Sequence, residues 1–253
     1  MLWYKAWLDT RWRFLVGLGL LTAVALANVL SYPYVQGVME LALKAGSSSP
    51  VAHELDRAAQ LSSSFRGYVW AQVVHENLIF LWALFAVLLG ADGPYSQRTG
   101  AVFTLSLPVS RRRVFAVRAA TDLAELFLLA LIPMLLIPLT ASAVGESYAP
   151  ADALVYSVAV FFGGAVFYCM TLLMSTLFED RWKSIVLALA VVVVVQVCKD
   201  LLPAVTSFTP AGAMDGESYF RTGTLAWTGI AIWAAAAVAL FHAAMRMTEN
   251  RDF

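Results

Sequence analysis

Six apolar stretches constrain this chain more than any other feature, because each approaches or exceeds the roughly 20 residues that a helix needs to cross a bilayer. Hydrophobic residues make up 60% of the sequence and charged residues only 13%, against about 25% charged residues in an ordinary soluble domain. Polar backbone groups in lipid must bond to one another, and the stretches lack the alternation of β-barrel strands. The sequence therefore predicts an all-α membrane protein with one transmembrane domain, residues 1–253. The predicted spans are about 14–34, 73–91, 122–144, 154–178, 184–200 and 224–245.

The distribution of basic residues predicts the orientation. With six spans, 12 of the 17 Lys and Arg residues fall on the side of the termini and 5 on the other side. The positive-inside rule then places both termini in the cytoplasm of a bacterium, with the protein integral to its cytoplasmic membrane. The formal net charge is zero, and no nucleic-acid partner is predicted.

Two segments beside the spans have compositions of their own. Residues 1–13 mix tryptophans with basic residues, as in Trp3, Lys5 and Trp7, which predicts a helix lying in the membrane interface. The alternative is that residues 1–13 are only the frayed beginning of the first span. Between spans five and six, residues 199–223 are too apolar for a loop but are interrupted by prolines and glycines. This pattern predicts a broken segment that re-enters the outer leaflet.

Sequence motifs for catalysis or cofactor binding are missing from the chain. It has no Gly-x-x-x-x-Gly-Lys-Ser/Thr stretch for ATP, and His75-Glu76 lacks the second histidine of a zinc-protease motif. Cys169 and Cys198 lie in apolar runs and are interpreted as small hydrophobic residues. We therefore predict no catalytic residue, metal site or cofactor in this chain.

A possible polar cluster in the membrane is formed by Arg118, Asp122 and Glu125. Their spacing of four and three residues places them on one face of the third predicted helix. Charges inside a membrane are costly and often functional. The two interpretations are an ion-pair cluster near the cytoplasmic surface and a site that contacts a transported substrate.

The second loop, residues 90–113, carries the most specific signal. Gly93-Pro94 ends the second span, and residues 95–107 can form a short helix with Phe103 and Leu107 on one face. Pro108 ends that helix, since a residue before proline avoids the helical region. Ser110 is a good N-cap for the next helix.

This loop resembles the one between spans two and three in ABC-2 type permeases, the membrane subunits of one class of ABC transporters. The resemblance rests on Thr-Leu-Ser-Leu-Pro-Val-Ser-Arg-Arg-Arg at 104–113, and on Thr99-Gly100, which reverses the Gly-Thr of the family. Gln97 or Arg98 stands where the family usually has an acidic residue. The amphipathic start, the six spans and the broken segment between spans five and six also look like the family in outline.

The resemblance implies that the loop is a cytoplasmic coupling helix that docks on a separate ATP-binding subunit. ATP and Mg²⁺ would bind that subunit, and a second permease copy or a paralogue would complete an export pathway. The residues expected to contact the ATP-binding subunit are Gln97, Arg98, Thr99, Phe103, Thr104, Leu107, Pro108, Ser110 and Arg111.

Two other functions remain open from the residues alone. A membrane enzyme of the acyl or prenyl transferase type would need clustered Asp, Glu or His at one membrane face, and Asp122 with Glu125 is a small set for that purpose. A membrane scaffold or assembly factor without transport is the other alternative.

Overall fold

The computed structural model describes residues 2–44, 61, 63–91, 110–178, 180–201 and 209–249. These residues form helices and connecting turns, without a strand among them. The all-α prediction is therefore confirmed for this part of the chain. The elements are α1 (Leu2–Lys44), α2 (Phe65–Tyr68), a π-helix (Val69–Leu78), α3 (Ile79–Gly90), α4 (Arg111–Ala141), a 3-10 turn (Ser142–Val144), α5 (Pro150–Leu177), α6 (Arg181–Leu201), α7 (Pro210–Asp215), α8 (Glu217–Thr222) and α9 (Trp227–Glu249).

Five helical segments among the described residues are long and apolar enough to cross a membrane. They contain or overlap the first, second, third, fourth and sixth predicted spans, so the prediction of a membrane protein is supported by its helices. Helix α6 covers the fifth predicted span with 21 residues but is not one of the five. The five segments are Leu2–Met39, Phe65–Gly90, Arg112–Val144, Pro150–Leu177 and Trp227–Glu249.

Helix α1 is continuous over 43 residues, which corresponds to about 65 Å at 1.5 Å per residue. The sequence suggested an interfacial helix at 1–13 followed by a span at 14–34, but no helix end separates these segments among the described residues. One buried stripe instead runs from residue 6 to residue 32 without a break at residue 13, and the helix packs mainly against α4. The stripe consists of Ala6, Thr10, Phe14, Leu21, Ala25, Val29 and Tyr32.

Helix α5 is central in the bundle, where it packs against α3, α4, α7 and α9. Two adjacent glycines allow this close packing. A Cβ on Gly163 would lie 2.9 Å from the Met214 backbone nitrogen, and one on Gly164 would lie 2.4 Å from Cζ3 of Trp82. Small residues of this kind let membrane helices approach closely. A glycine pair in an apolar helix predicts a close approach, either between chains or within one chain, and both glycines here face residues of the same chain.

The segment between α6 and α9 is broken into two short helices where residues 209–222 are described. Thr209 caps α7 with its side chain, and Gly216 begins α8 with a φ of 63°. This left-handed conformation favours glycine. Met214 contacts Gly163. Gly163 lies 13 residues after the first residue of α5, which is about 20 Å along that helix. Helix α7 thus packs against the middle of α5, whereas Tyr219 of α8 bonds to Asp152 in the first turn of α5.

We expect Gly164→Ala to destabilise the protein by about 1–3 kcal/mol, because overpacking a filled core costs that much. The added methyl would collide with Trp82, which is fully buried and cannot move aside. Gly19→Ala is the matched control, because a Cβ there meets nothing within 4 Å. That control should be neutral or more stable by up to about 1 kcal/mol, since alanine favours helix. Unfolding of the two variants in mixed micelles measures the difference, and equal stabilities would contradict the packing.

Candidate polar site between the helices

Three acidic and basic side chains project from one face of α4 into the bundle. Asp122 is 0% exposed, Glu125 is 2% exposed and Arg118 is 5% exposed. Further toward its C-terminus, the same helix buries Leu126, Leu129 and other apolar residues. The structure therefore brings together all three residues that the sequence suggested as a polar cluster.

Arg118 and Asp122 are the centre of this cluster. Nε of Arg118 lies 3.3 Å from Oδ1 of Asp122, and NH1 of Arg118 donates to Oδ2 of Asp9 at 3.2 Å. The hydroxyl of Tyr168 donates to Oδ2 of Asp122 at 2.9 Å. The arginine thus joins α4 to α1, and the aspartate joins α4 to α5.

Glu125 contacts α1 one turn further along the helix. Its Oε1 accepts a hydrogen bond from the hydroxyl of Thr10 at 2.5 Å. Its Oε2 is buried without a hydrogen-bond partner among the described residues. Thr10 itself is fully buried, so this contact closes the interface between α1 and α4.

The arrangement is a set of polar bridges across three helices. Arg118 is paired with Asp9 and Asp122 inside the protein, and buried charges are normally retained only when they are paired. Both oxygens of Asp122 are engaged. The contacts observed are those of an ion-pair cluster, and it is buried between the helices.

Sequence reasoning missed three members of the cluster: Asp9, Thr10 and Tyr168. One sequence feature could have identified Asp9: it is the only acidic residue among the basic and aromatic residues of 1–13. Thr10 and Tyr168 have no such feature, because a hydroxyl residue in an apolar helix is common and does not reveal its distant partner.

The proposed coupling segment is described only at its end. Gln97, Arg98, Thr99, Phe103, Thr104, Leu107 and Pro108 lie outside the described residues. Ser110 caps α4 as predicted: its Oγ accepts a hydrogen bond from the backbone nitrogen of Arg113 at 3.4 Å. Arg111 begins that helix. The second loop therefore ends directly in the helix that carries the polar cluster.

Arg112 connects the start of α4 to the end of α9. Its Nε and NH2 donate to the two carboxylate oxygens of Glu249, with NH2 and Oε2 2.9 Å apart. A two-point arginine–carboxylate pair fixes the relative orientation of both groups. The pair therefore joins the start of α4 to the end of α9.

A second polar cluster lies at the opposite ends of the helices. Nδ1 of His75, from the π-helix, lies 2.8 Å from Oδ1 of Asp215 in α7. The indole nitrogen of Trp70 donates to the Asp215 carbonyl at 3.0 Å, and its ring stacks on Phe220 at 4.7 Å. These contacts attach the α7–α8 pair to the π-helix, a rare element often found at functional sites.

The histidine, cysteine and acidic side chains of the described residues are scattered over several helices. No group of three or more His, Cys, Asp or Glu side chains there is arranged to hold a metal ion. Cys169 is a buried free cysteine on α5. Neither cluster thus offers a metal centre in this part of the chain.

Comparison of the chain with protein-family models, with curated proteins and with solved structures finds no match.

Proposed function

We propose that this chain is the permease subunit of an ABC-2 type transporter, driven by a separate ATP-binding subunit and working as an exporter. The observation that carries the proposal is the sequence of residues 104–113, Thr-Leu-Ser-Leu-Pro-Val-Ser-Arg-Arg-Arg, which resembles the coupling turn of that family. The position of Ser110 as the N-cap of α4 is in keeping with this resemblance, because it marks the point where such a turn would enter a membrane helix.

The proposed topology has six spans, with α6 as the fifth. Its 21 residues extend about 32 Å, close to the roughly 30 Å of the hydrocarbon core. Both termini would lie in the cytoplasm of a bacterium, following the excess of Lys and Arg on that side. The α7–α8 pair would re-enter the outer leaflet, since irregular backbone at membrane depth is tolerated where protein covers it.

The polar cluster gives the proposal a mechanical basis. ATP and Mg²⁺ would bind to the partner subunit, whose closure would displace the coupling helix by rigid-body motion. That displacement would arrive at the start of α4. The pair formed by Arg112 would transmit the displacement to α9. The contacts of Arg118 and Glu125 would transmit it to α1, and the contact of Asp122 would transmit it to α5. A second permease copy or a paralogue would form the other half of the pathway.

The membrane-enzyme alternative receives less support. Asp122 and Glu125 are directed to Arg118, Tyr168 and Thr10 inside the bundle, instead of facing a reaction site. A membrane scaffold would use the same helices without an ATP-binding partner, so it is separated from the proposal by the experiment below.

The test is co-purification. The tagged full-length chain, expressed with the ATP-binding protein of a neighbouring reading frame, should purify with that protein and with a second permease chain. ATP hydrolysis by the purified complex should differ from that of the isolated ATP-binding subunit. Mass measurement in nanodiscs gives the stoichiometry. Purification of a single chain that binds no ATPase would refute the transporter and favour the scaffold.

A further inference from the structure

Three tyrosines surround an ion pair at the end of the bundle opposite the polar cluster. Arg66 of α2 lies with its Nε 3.0 Å from Oδ2 of Asp152 in α5. Tyr219 of α8 donates its hydroxyl to the other Asp152 oxygen at 2.6 Å. Tyr156 packs its ring against Tyr219 at 5.5 Å. Together with Tyr148, which precedes α5, these residues are named the distal tyrosine cluster.

Two hydroxyls in the distal tyrosine cluster have no hydrogen-bond partner among the described residues. They belong to Tyr148, which is 7% exposed, and to Tyr156, which is 0% exposed. A buried polar group left unbonded costs about 1–3 kcal/mol. Buried polar atoms in native proteins are therefore nearly always satisfied, and an exception points to a missing water, ion or ligand.

Tyr148 packs its ring edge-on against Phe65, the residue before Arg66, with the ring centroids 6.2 Å apart. Burial is the main cause that raises the pKa of Tyr148 far above its ordinary value, and the nearby Tyr156 and Asp152 add to it, whereas Arg66 opposes it. The hydrogen bond to Asp152 is the main cause that raises the pKa of Tyr219, with burial second. Both phenols therefore stay protonated at neutral pH and can donate hydrogen bonds.

The hydrogen-bonding groups of the cluster that remain available are donors, which bind acceptor oxygens. Asp152 is already engaged at both oxygens. The arginine pairs with Asp152 through Nε and lies over the rings of Tyr219 and Phe220, and a guanidinium has five N–H donors in all. Its side chain is 42% exposed, which gives access from outside. The guanidinium of Arg66 and two neighbouring hydroxyls can together donate hydrogen bonds to the several acceptor oxygens of a phosphate group.

We propose that the distal tyrosine cluster binds a phosphate group, with Arg66 supplying the charge and the hydroxyls of Tyr148 and Tyr156 donating to its oxygens. The site goes beyond the proposed transport function and does not depend on an ATP-binding subunit. Arg66 and Asp152 lie in the first turns of two candidate spans, Phe65–Gly90 and Pro150–Leu177. Lipid headgroups lie at such helix ends, so the phosphate belongs to a lipid headgroup or to a soluble compound.

The test uses the full-length protein, purified in detergent and depleted of lipid. Inorganic phosphate and dihexanoyl-phosphatidylglycerol are titrated separately, and binding is read from thermal protection and native mass spectrometry. The variant Tyr148→Phe/Tyr156→Phe should bind about tenfold more weakly or worse, since a hydrogen bond to a charged group contributes about 1.5–3 kcal/mol. Without ligand it should be as stable as the wild type, because it removes only unbonded hydroxyls.

Two further variants separate binding from folding. Arg66→Lys keeps the charge but loses the fork, and should also weaken binding. Tyr68→Phe is the matched control: its hydroxyl donates to the Asn28 carbonyl at 3.0 Å, away from the cluster. That control should lower stability without changing the affinity for either probe.

The two probes identify the source of the phosphate. Binding of the short-chain lipid alone assigns the site to a headgroup, binding of inorganic phosphate alone assigns it to a soluble compound, and competition between them supports the shared site. If neither probe binds, or if the double phenylalanine variant binds as tightly as the wild type, the proposal is overturned. A double variant that is destabilised without ligand would also overturn it, because the hydroxyls would then have internal partners.

Discussion

Arg118→Leu should destabilise the protein by about 3–5 kcal/mol, the cost of removing one partner from a buried ion pair. The guanidinium of Arg118 lies beside both Asp9 and Asp122. Asp122 is fully buried, so its charge would lose the main compensation for leaving water. Unfolding in mixed micelles with increasing denaturing detergent measures the loss.

Two variants control this result. Arg113→Leu removes an exposed arginine from the same helix and should change the unfolding free energy by less than about 0.5 kcal/mol. The double variant Arg118→Leu/Asp122→Leu should lose less than the sum of the two single losses, because it removes both members of the Arg118–Asp122 pair together. Equal losses for Arg118→Leu and Arg113→Leu would show that the buried pair does not hold the helices together.

Phe103→Ala/Leu107→Ala should abolish binding of the ATP-binding subunit, a prediction that rests on the proposed function. Both residues lie outside the described part of the chain, and the sequence places them on one face of a short helix. Truncating a packed side chain costs about 2–5 kcal/mol. Even about 2 kcal/mol weakens association more than tenfold, so the double variant should fail to co-purify with the ATPase or to couple ATP hydrolysis to transport.

Arg112→Ala is the comparison for the coupling variant. Arg112 pairs with Glu249 at an exposed position, and exposed pairs contribute about 0–1 kcal/mol. It should therefore reduce association with the ATPase much less, and any loss of coupling that it causes should come from the missing link to α9 and not from weaker docking. Membrane insertion and helix content should stay normal in both variants. Normal ATPase binding and wild-type transport by the double variant would make the coupling assignment wrong.

The helices could be predicted from the sequence because length and hydropathy are local properties. A run of about 20 apolar residues is compatible with lipid whatever its neighbours are, and five such segments recur in the structure. Ser110 was also predictable, since an N-cap bonds only to residues two or three positions away. Separate interfacial and spanning helices were not found in α1, because its buried stripe continues past residue 13.

The polar cluster could be predicted only in part. The spacing of Arg118, Asp122 and Glu125 follows from the helix period, but Asp9 is 109 residues from Arg118 and Thr10 is 115 residues from Glu125. No local pattern connects positions that far apart. Likewise, Gly163 and Gly164 indicated a close approach without identifying Met214 and Trp82 as the neighbours.

The sequence alone therefore predicted the helices of the described residues, five of them long and apolar enough to cross a membrane, and it predicted where α4 begins. The tertiary structure decided which polar groups meet and which residues of the same chain occupy the space beside Gly163 and Gly164. It also decided which tyrosine hydroxyls have no hydrogen-bond partner among the described residues. The physical reason is that a helix forms from bonds within four residues, whereas its partners depend on how several helices pack around shared side chains.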